Sequence, residues 1–470
     1  MKDKKRTWEI FSFYDRSGLE KRLAHMAEQG WLVEHIGSFL WTYRRIEPRR
    51  LAFCVCWFPK ASAFDPEPSA EQQTFYDFCR HTGWIPAASS GQMQVFYNED
   101  ADPIPIETDP ATEVDAIHRA AKRTTLPSHL VLLVMALINN GLFFSRLRSD
   151  PVGVLASTAN LFTGTCWAVL ILMEAVECGS YVLWHRRAVK AAERGEFLQT
   201  KGHRRLQLIS LAVVGLGLIY YFVSVLTSAN RMMMVVALLM FGVYLPGVYL
   251  LVYGVKALLK KKKVSAKINR TATIASAFAV SFLLISGILW GVLYGSANGW
   301  LAGTDEETYT YRGSTFTARR DALPLTVEDL LGVSYDGYSC ERQTEESVFL
   351  ARYEMVQRPR FDAAQYKEMP RLEYTITLVK VPALYSLCKD ALLADWNDDW
   401  RPEGQKDYAV PIASAPWGAE DAYQLANQEY GPENRFLLCY EDLFVEIRFD
   451  WEPTPEQIAL AVEKIKSINH

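Results

Sequence analysis

Hydrophobic positions divide this chain into three parts with different periodicities. Between residues 126 and 295 the apolar residues run on with little polar interruption, in five blocks. These are LPSHLVLLVMALINNGLFF (126–144), VGVLASTANLFTGTCWAVLILM (152–173), LQLISLAVVGLGLIYYFVSVLT (206–227), MMMVVALLMFGVYLPGVYLLVYGV (232–255) and TATIASAFAVSFLLISGILWGVLYG (271–295). A helix needs about 20 apolar residues to cross a hydrocarbon core about 30 Å thick. Soluble cores rarely use five such runs in 170 residues, so the pattern predicts an all-α bundle of five transmembrane helices. On both sides of it the periods shorten to those of strands and amphipathic helices.

The first 100 residues carry one pattern twice. WEIFSFY (8–14) alternates as a strand does. In residues 15–30, Leu19, Leu23, Met26 and Ala27 share a helical face, with Asp15 as N-cap and Gly30 as the stop. WLVEHIG and SFLWTYRRI then read as a hairpin turning at Gly37-Ser38. LAFCVCWF (51–58) restarts the series, followed by a helix over 69–83, then WIPAAS and QMQVFYNE. The tandem strand–helix–strand–strand pattern predicts a compact α+β domain over 1–100, with helices on one face of an antiparallel sheet. Gly30-Trp31 and Gly83-Trp84 fall at matching points. Each glycine ends a helix, and each tryptophan is expected to anchor the core beneath it. Residues 101–125 read as an extended, proline-rich linker and a short juxtamembrane helix, ATEVDAIHRAAKR.

Residues 296–470 predict a second α+β domain with one mixed or antiparallel sheet. The strand-like runs are 308–318, 347–356, 372–381, and 435–442 with 443–451 as a hairpin turning at Glu441-Asp442. Helices are expected at 326–332, 382–396 and 454–468, the last starting from Thr454, Pro455 and Gln457 as N-cap, N1 and N3.

The N-terminal region resembles domain-of-unknown-function family 2812, found in bacterial membrane proteins. The resemblance covers about residues 9–118. It is carried by FSFYD (11–15), LEKRLAHMAEQGWLVEHIG (19–37), FLWTYRRIEP (39–48), GWIPA (83–87) and VFYNED (95–100). It implies membrane spans after the domain and work beside transcription regulators of the PadR type. It offers no catalytic residues to carry over.

Charge changes the picture by giving the bundle a direction. Residues 126–295 hold 17 Lys+Arg against 5 Asp+Glu, whereas 296–470 hold 17 against 31. Seven basic residues lie in HRRAVKAAERGEFLQTKGHRR (185–205) and seven in KALLKKKKVSAKINR (256–270), against two in 145–151 and one in 228–231. Cytoplasmic loops hold the Lys and Arg excess, so both basic loops are expected in the cytosol. An odd number of spans then puts residues 1–125 inside and 296–470 outside a bacterial cytoplasmic membrane. No secretory leader pattern opens the sequence. An anionic lipid surface accounts for the lysine cluster, so no nucleic-acid partner is expected.

Candidate chemistry is sparse. No zinc-protease, phosphate-loop, nucleophile-elbow or dinucleotide motif is present, so no catalytic, cofactor or metal site is assigned and an enzyme is not expected. DWNDDW (395–400) places Asp395, Asn397 and Asp399 like the start of a calcium loop, but Trp400 and Lys406 replace the glycine and glutamate that loop needs. Cys54 and Cys56 share a strand face, where packing explains them. The outer cysteines, Cys340, Cys388 and Cys439, allow at most one bridge. Glu174 and Glu177 share a helical face beyond the apolar run of span two. They sit either at the cytosolic interface or, if the span slides to about 160–183, facing the bundle interior. Asn139 and Asn140 in span one, and Pro246-Gly247 in span four, read either as cavity-lining or as helix packing and a kink.

The expected protein couples an extracytoplasmic binding domain, for an unknown ligand or envelope protein, to a cytosolic domain that contacts a regulator. A transporter or accessory subunit is the alternative, with Glu174 and Glu177 in a wet cavity as its sign. A membrane-bound envelope enzyme is the third class.

Overall fold

A computed structural model describes residues 3–37, 40–100, 102–227, 231–297, 306–333, 337–397 and 401–466. The chain divides into two compact units. The first comprises 1–140, 165–217 and 238–288; the second comprises 141–164, 218–237 and 289–470.

In the first unit the tandem pattern becomes two three-stranded antiparallel sheets of identical order. The first half gives β1 (Lys4–Trp8), α1 (Arg16–Glu28), β2 (Trp31–His35) and β3 (Leu40–Arg45), ordered β1-β3-β2. The second gives β4 (Ala52–Trp57), α2 (Ala70–His81), β5 (Ile85–Ser90) and β6 (Met93–Asn98), ordered β4-β6-β5. Both carry a bulge in the strand after the helix, at Val33/His35 and at Pro86/Ala88. One core joins the halves: Leu19, Leu23 and Met26 of α1 pack with Trp41, Tyr43, Val55 and Val95. The single sheet expected from the sequence is therefore two sheets sharing a core. Gly30 and Gly83 have φ of +81° and +84°, the left-handed stop that glycine tolerates. Trp84 is buried, as an anchor should be, whereas Trp31 is half-buried beneath Lys5 and Arg45.

The expected strand over 8–14 is displaced. The polar run Lys4–Trp8 pairs with β3, and residues 9–14 leave the sheet. Their apolar side chains have a different use: Tyr14 stacks on Trp184, and Phe13 lies against Tyr181. The Gly37-Ser38 turn falls partly outside the described residues.

The linker is extended but tied down. Trp84 Nε1 donates to the Ile104 carbonyl at 2.9 Å. α3 (Pro110–Ala120), capped by Asp109, buries Val114 and Ile117 against Tyr14, Tyr181 and Trp184. It continues through a π-helical turn, Ala121–Thr125, into α4 (Leu126–Ser149).

Five helical segments are long and apolar enough to cross a membrane, so this is a membrane protein. After α4 and the short α5 (Pro151–Ala156) come α6 (Thr158–Ala192), α7 (Arg204–Thr227) and α8 (Arg231–Leu239). α8 passes through a π turn, Met240–Tyr244, into α9 (Leu245–Lys261), and α10 (Ala266–Ala297) follows. Large apolar side chains such as Phe278 and Phe282 point outward, as lipid-facing positions do. The π turn sits just before Pro246, whose missing N–H cannot close an α-helical bond. A Cβ on Gly247 would lie 3.2 Å from Leu284. Pro246-Gly247 thus follows a π turn and allows a close helix contact.

In the second unit α5, expected as the start of span two, is instead core. Val152, Leu155 and Ala156 pack with Leu350, Leu392 and Trp396. The C-terminal domain holds a hairpin, β7 (Glu306–Tyr311) and β8 (Ser314–Arg319), where a single strand over 308–318 was expected. Arg312 and Gly313 both have positive φ, +49° and +81°, the geometry of a tight two-residue hairpin turn. After α11 (Val327–Leu331) come β9 (Tyr338–Glu346), β10 (Leu350–Pro359), β11 (Leu372–Val379), α12 (Tyr385–Trp396), β12 (Asp407–Ile412), β13 (Asp421–Asn427), β14 (Gly431–Cys439), β15 (Leu443–Phe449) and α13 (Pro455–Lys466). β9 to β15 form one antiparallel sheet, ordered β12-β13-β14-β15-β11-β10-β9. Both faces are covered. Leu330, Ala461 and Ile465 of α11 and α13 share one core, while Cys388, Leu392 and Trp396 of α12 share the other with α5. Thr454 and Gln457 cap α13 reciprocally, as their spacing predicts.

Candidate functional site

The first unit gathers its buried polar groups where α6 meets the N-terminal domain. Going along α6, Glu174, Glu177, Cys178, Tyr181 and His185 recur every three or four residues and share one face. Glu174 and Glu177 are 6% and 9% exposed, so both face protein. Glu174 Oε2 lies 2.5 Å from Nδ1 of His129, one turn into α4. Glu177 Oε2 accepts from Ser12 Oγ at 2.8 Å. Among the described residues no Lys or Arg pairs with either carboxylate.

The loop 9–15 reaches this face because the approach to α7 holds it there. Ser17 N donates to Thr200 Oγ1 at 2.9 Å, Thr200 N donates to Ser17 Oγ at 3.3 Å, and Thr200 Oγ1 donates to Asp15 Oδ1 at 3.2 Å. His203 N donates to Ser12 Oγ at 3.4 Å. Gly202 permits this approach, since a Cβ there would fall 2.5 Å from Asp15 Oδ2. The second basic loop also docks on the N-terminal domain. Lys263 pairs with Glu67 at 2.7 Å, Asn269 Nδ2 donates to the Phe64 carbonyl at 3.2 Å, and Lys256 lies over the Phe64 ring.

Between these elements is a cavity of about 160 Å³, lined among others by Phe13, His129, Glu174, Glu177, His203 and Gln207. Gln207 Oε1 is buried there with no hydrogen-bond partner among the described residues. Phe13 covers one side, 5.8 Å from the His129 ring. Beyond it, His118 Nδ1 bonds the Tyr181 hydroxyl at 2.8 Å and its ring stacks on His185 at 4.2 Å. Burial, then the charge of Glu177, pushes the Tyr14 hydroxyl up to about 12, so Tyr14 stays a neutral donor. Two carboxylates and two imidazoles around a small cavity, with the Cys178 thiol beside Glu174 and His129, can hold a proton or a cation.

A second polar cluster clamps the linker. Arg16 Nε donates to Glu20 at 2.8 Å, its Nη1 lies 3.5 Å from Glu107, and it pairs closely with Glu113. Burial raises the Glu107 carboxyl to about 7, against the pull of Arg16 and with help from Glu113 and Glu20. Cys54, beside Arg16, is pushed up to about 12 by burial; with Cys56 and Cys79 it packs around Phe96. These thiols are core groups.

The other sequence candidates lie apart from the cavity. Asn139 bonds back to the Met135 carbonyl at 2.8 Å on an exposed face, and Asn140 is half-buried. Asn397 Oδ1 accepts from Ala409 N at 3.2 Å, a turn-closing role; Asp399 and Trp400 lie outside the described residues. The pattern reading missed His129, Cys178, His203, Gln207 and Ser12. One signal was present: Glu174 and Cys178 are four apart on a helix, a spacing that places two ligands on one face. No local spacing links them to His129 or Ser12.

Residues 15–128 match the model of a family described as a protein of unknown function (DUF2812). The match covers the N-terminal domain from Asp15 onward, the linker and the first residues of α4, and ends one position before His129. No curated protein and no solved structure matches the chain.

Proposed function

We propose that this protein is a membrane-embedded coupling device, in which the C-terminal domain binds an extracytoplasmic ligand or envelope partner and the N-terminal domain presents the response to a cytosolic regulator. The observation that carries the reading is that α6 anchors both soluble domains. Thr158, its first residue, donates through Oγ1 to the Glu346 carbonyl at 2.7 Å, and Ser347 Oγ donates to the Leu155 carbonyl at 2.5 Å just before it. Glu177, Tyr181 and Trp184 of the same helix hold Ser12, Phe13 and Tyr14. A continuous hydrogen-bonded helix moves as one element, so a displacement at Thr158 changes what loop 9–15 meets. A ligand shifts this equilibrium only if it prefers one position of α6.

The orientation belongs to the same proposal. Both basic loops contact the N-terminal domain, and Lys/Arg-rich loops face the cytosol. The N-terminal domain is therefore cytosolic, and five spans send the C-terminal domain outside.

Hydrogen exchange on the full chain in nanodiscs tests the coupling. Ser347→Ala and Thr158→Val loosen the outer anchor. Exchange at residues 9–18 and 198–204 should then rise several-fold, ahead of the rest of the N-terminal domain. Unchanged exchange in both segments, with the C-terminal domain demonstrably loosened, removes the coupling reading.

A further inference from the structure

We propose that His129, Glu174 and Cys178 form a binding site for a divalent transition-metal ion of the zinc class, opening onto the cavity beside them. The proposal does not depend on signal coupling.

One imidazole nitrogen, one carboxylate oxygen and the thiol sulfur of these residues all lie within 4.8 Å of one another, the one such group among the described residues. Two rigid helices supply them. Glu174 and Cys178 are one turn apart on α6, and His129 comes from α4. In a tetrahedral zinc site, bonds of about 2.0–2.3 Å set the donors roughly 3.3–3.8 Å apart. The existing cluster needs only small rotations to reach that shape. His129 Nδ1 and Glu174 Oε2, now 2.5 Å apart, must separate slightly to share a metal instead.

Charge is the second argument. Glu174 and Glu177 are buried together, one helical turn apart, without a Lys or Arg partner among the described residues. Buried carboxylates are costly unless a cation or proton compensates them. A divalent ion held by a neutral imidazole, a carboxylate and a thiolate leaves a neutral centre, which compensates Glu174; Glu177 is held by Ser12 instead. The donor set also selects the ion. Thiolate and imidazole favour zinc, cobalt or iron(II) over magnesium and calcium, which prefer oxygen.

The surroundings suit an open site. Three protein ligands leave one tetrahedral position free, as in sites that exchange a water or ligand. The cavity of about 160 Å³ adjoins Glu174 and His129 and has room for water. Gln207 Oε1, buried without a partner, faces it, as does His203. A metal-bound water would give Gln207 a donor. Binding exchanges protons for metal: the Cys178 thiol gives up its proton as the S–metal bond forms, and any proton held between His129 and Glu174 is displaced.

Cobalt titration of the full-length, chelator-stripped protein in nanodiscs tests this, because cobalt–thiolate charge transfer reports sulfur ligation directly. The wild-type protein should bind one cobalt per chain with that absorption, release protons, and lose the band when zinc is added. Cys178→Ser should abolish the charge-transfer band. His129→Gln and Glu174→Gln should weaken binding at least about 10-fold, since even outer-shell losses cost that much. Cys166→Ser, elsewhere on the same helix, should leave the spectrum unchanged. No stoichiometric band in the wild-type protein, or a band that survives Cys178→Ser, overturns the proposal; the cluster is then a hydrogen-bonded His–Glu pair. The wild-type titration decides the matter even if a variant fails to fold.

Discussion

Arg16 ties α1 of the N-terminal domain to the linker and α3 through Glu20, Glu107 and Glu113. It is one guanidinium among three largely shielded carboxylates, Glu20, Glu107 and Glu113, so two acids are left to be protonated or to remain a cost. Glu107 is one of them, with its carboxyl raised to about 7. Its folded pKa lies above its unfolded value near 4.3, so the folded state binds the proton more tightly. Stability is then greatest at low pH, falls as pH rises through the unfolded value, and levels off above about 7. The loss is on the order of 3 kcal/mol at most. Glu107→Gln should flatten this dependence and protect residues 15–20 and 107–113 from hydrogen exchange at pH 8 relative to wild type. Equal slopes in the two proteins would contradict it. Gly30 is a second sensitive residue. Gly30→Ala puts a Cβ 2.9 Å from the Ile46 carbonyl at a φ of +81°, and should cost about 2 kcal/mol or more from handedness and contact together. Gly195→Ala, at a similar φ with nothing within 4 Å, should cost only about 1 kcal/mol. Denaturant midpoints of the two variants provide the comparison.

Elements formed where local chemistry and tertiary demand agreed. α11 has only five residues, yet it carries a complete capping box: Thr326 Oγ1 accepts from Asp329 N, and Asp329 Oδ2 accepts from Thr326 N. Gly332 ends it at a φ of +65°. Thr326→Ala should lower the stability of the C-terminal domain by about 1 kcal/mol, read as a shift in its thermal midpoint; Thr326→Ser should restore most of it. Where local pattern and tertiary demand conflicted, the latter prevailed. WEIFSFY alternates as a strand, yet only Trp8 lies in one; Ser12, Phe13 and Tyr14 instead hydrogen-bond and pack against α6. The apolar opening of span two was likewise diverted, with Val152 and Leu155 entering the C-terminal core.

For the whole molecule the decisive quantity is which side each end occupies. With epitope tags at both termini, an impermeant label on intact cells should reach the C-terminal tag only, and the N-terminal tag should react after permeabilisation. The reverse result would invert the orientation and with it the assignment of ligand-binding and regulator-facing domains. The basic loops make the prediction sharp, because each bonds to the N-terminal domain and must share its compartment.

Order along the chain, five membrane-length helices and two α+β domains were legible in the sequence, because hydrophobic period and helix-stop glycines are local properties that few residues can satisfy otherwise. The doubled strand–helix–strand–strand pattern was legible for the same reason, down to Gly30 and Gly83. Its division into two sheets was not, since sheet partners are chosen by long-range contacts. Nor was the cavity. Ser12, His129, Glu174, Glu177, Cys178 and His203 come from four separated segments, and only packing brings them within reach. Period reports which face of a helix is apolar; which other helix or loop meets its polar face is decided by the tertiary structure alone.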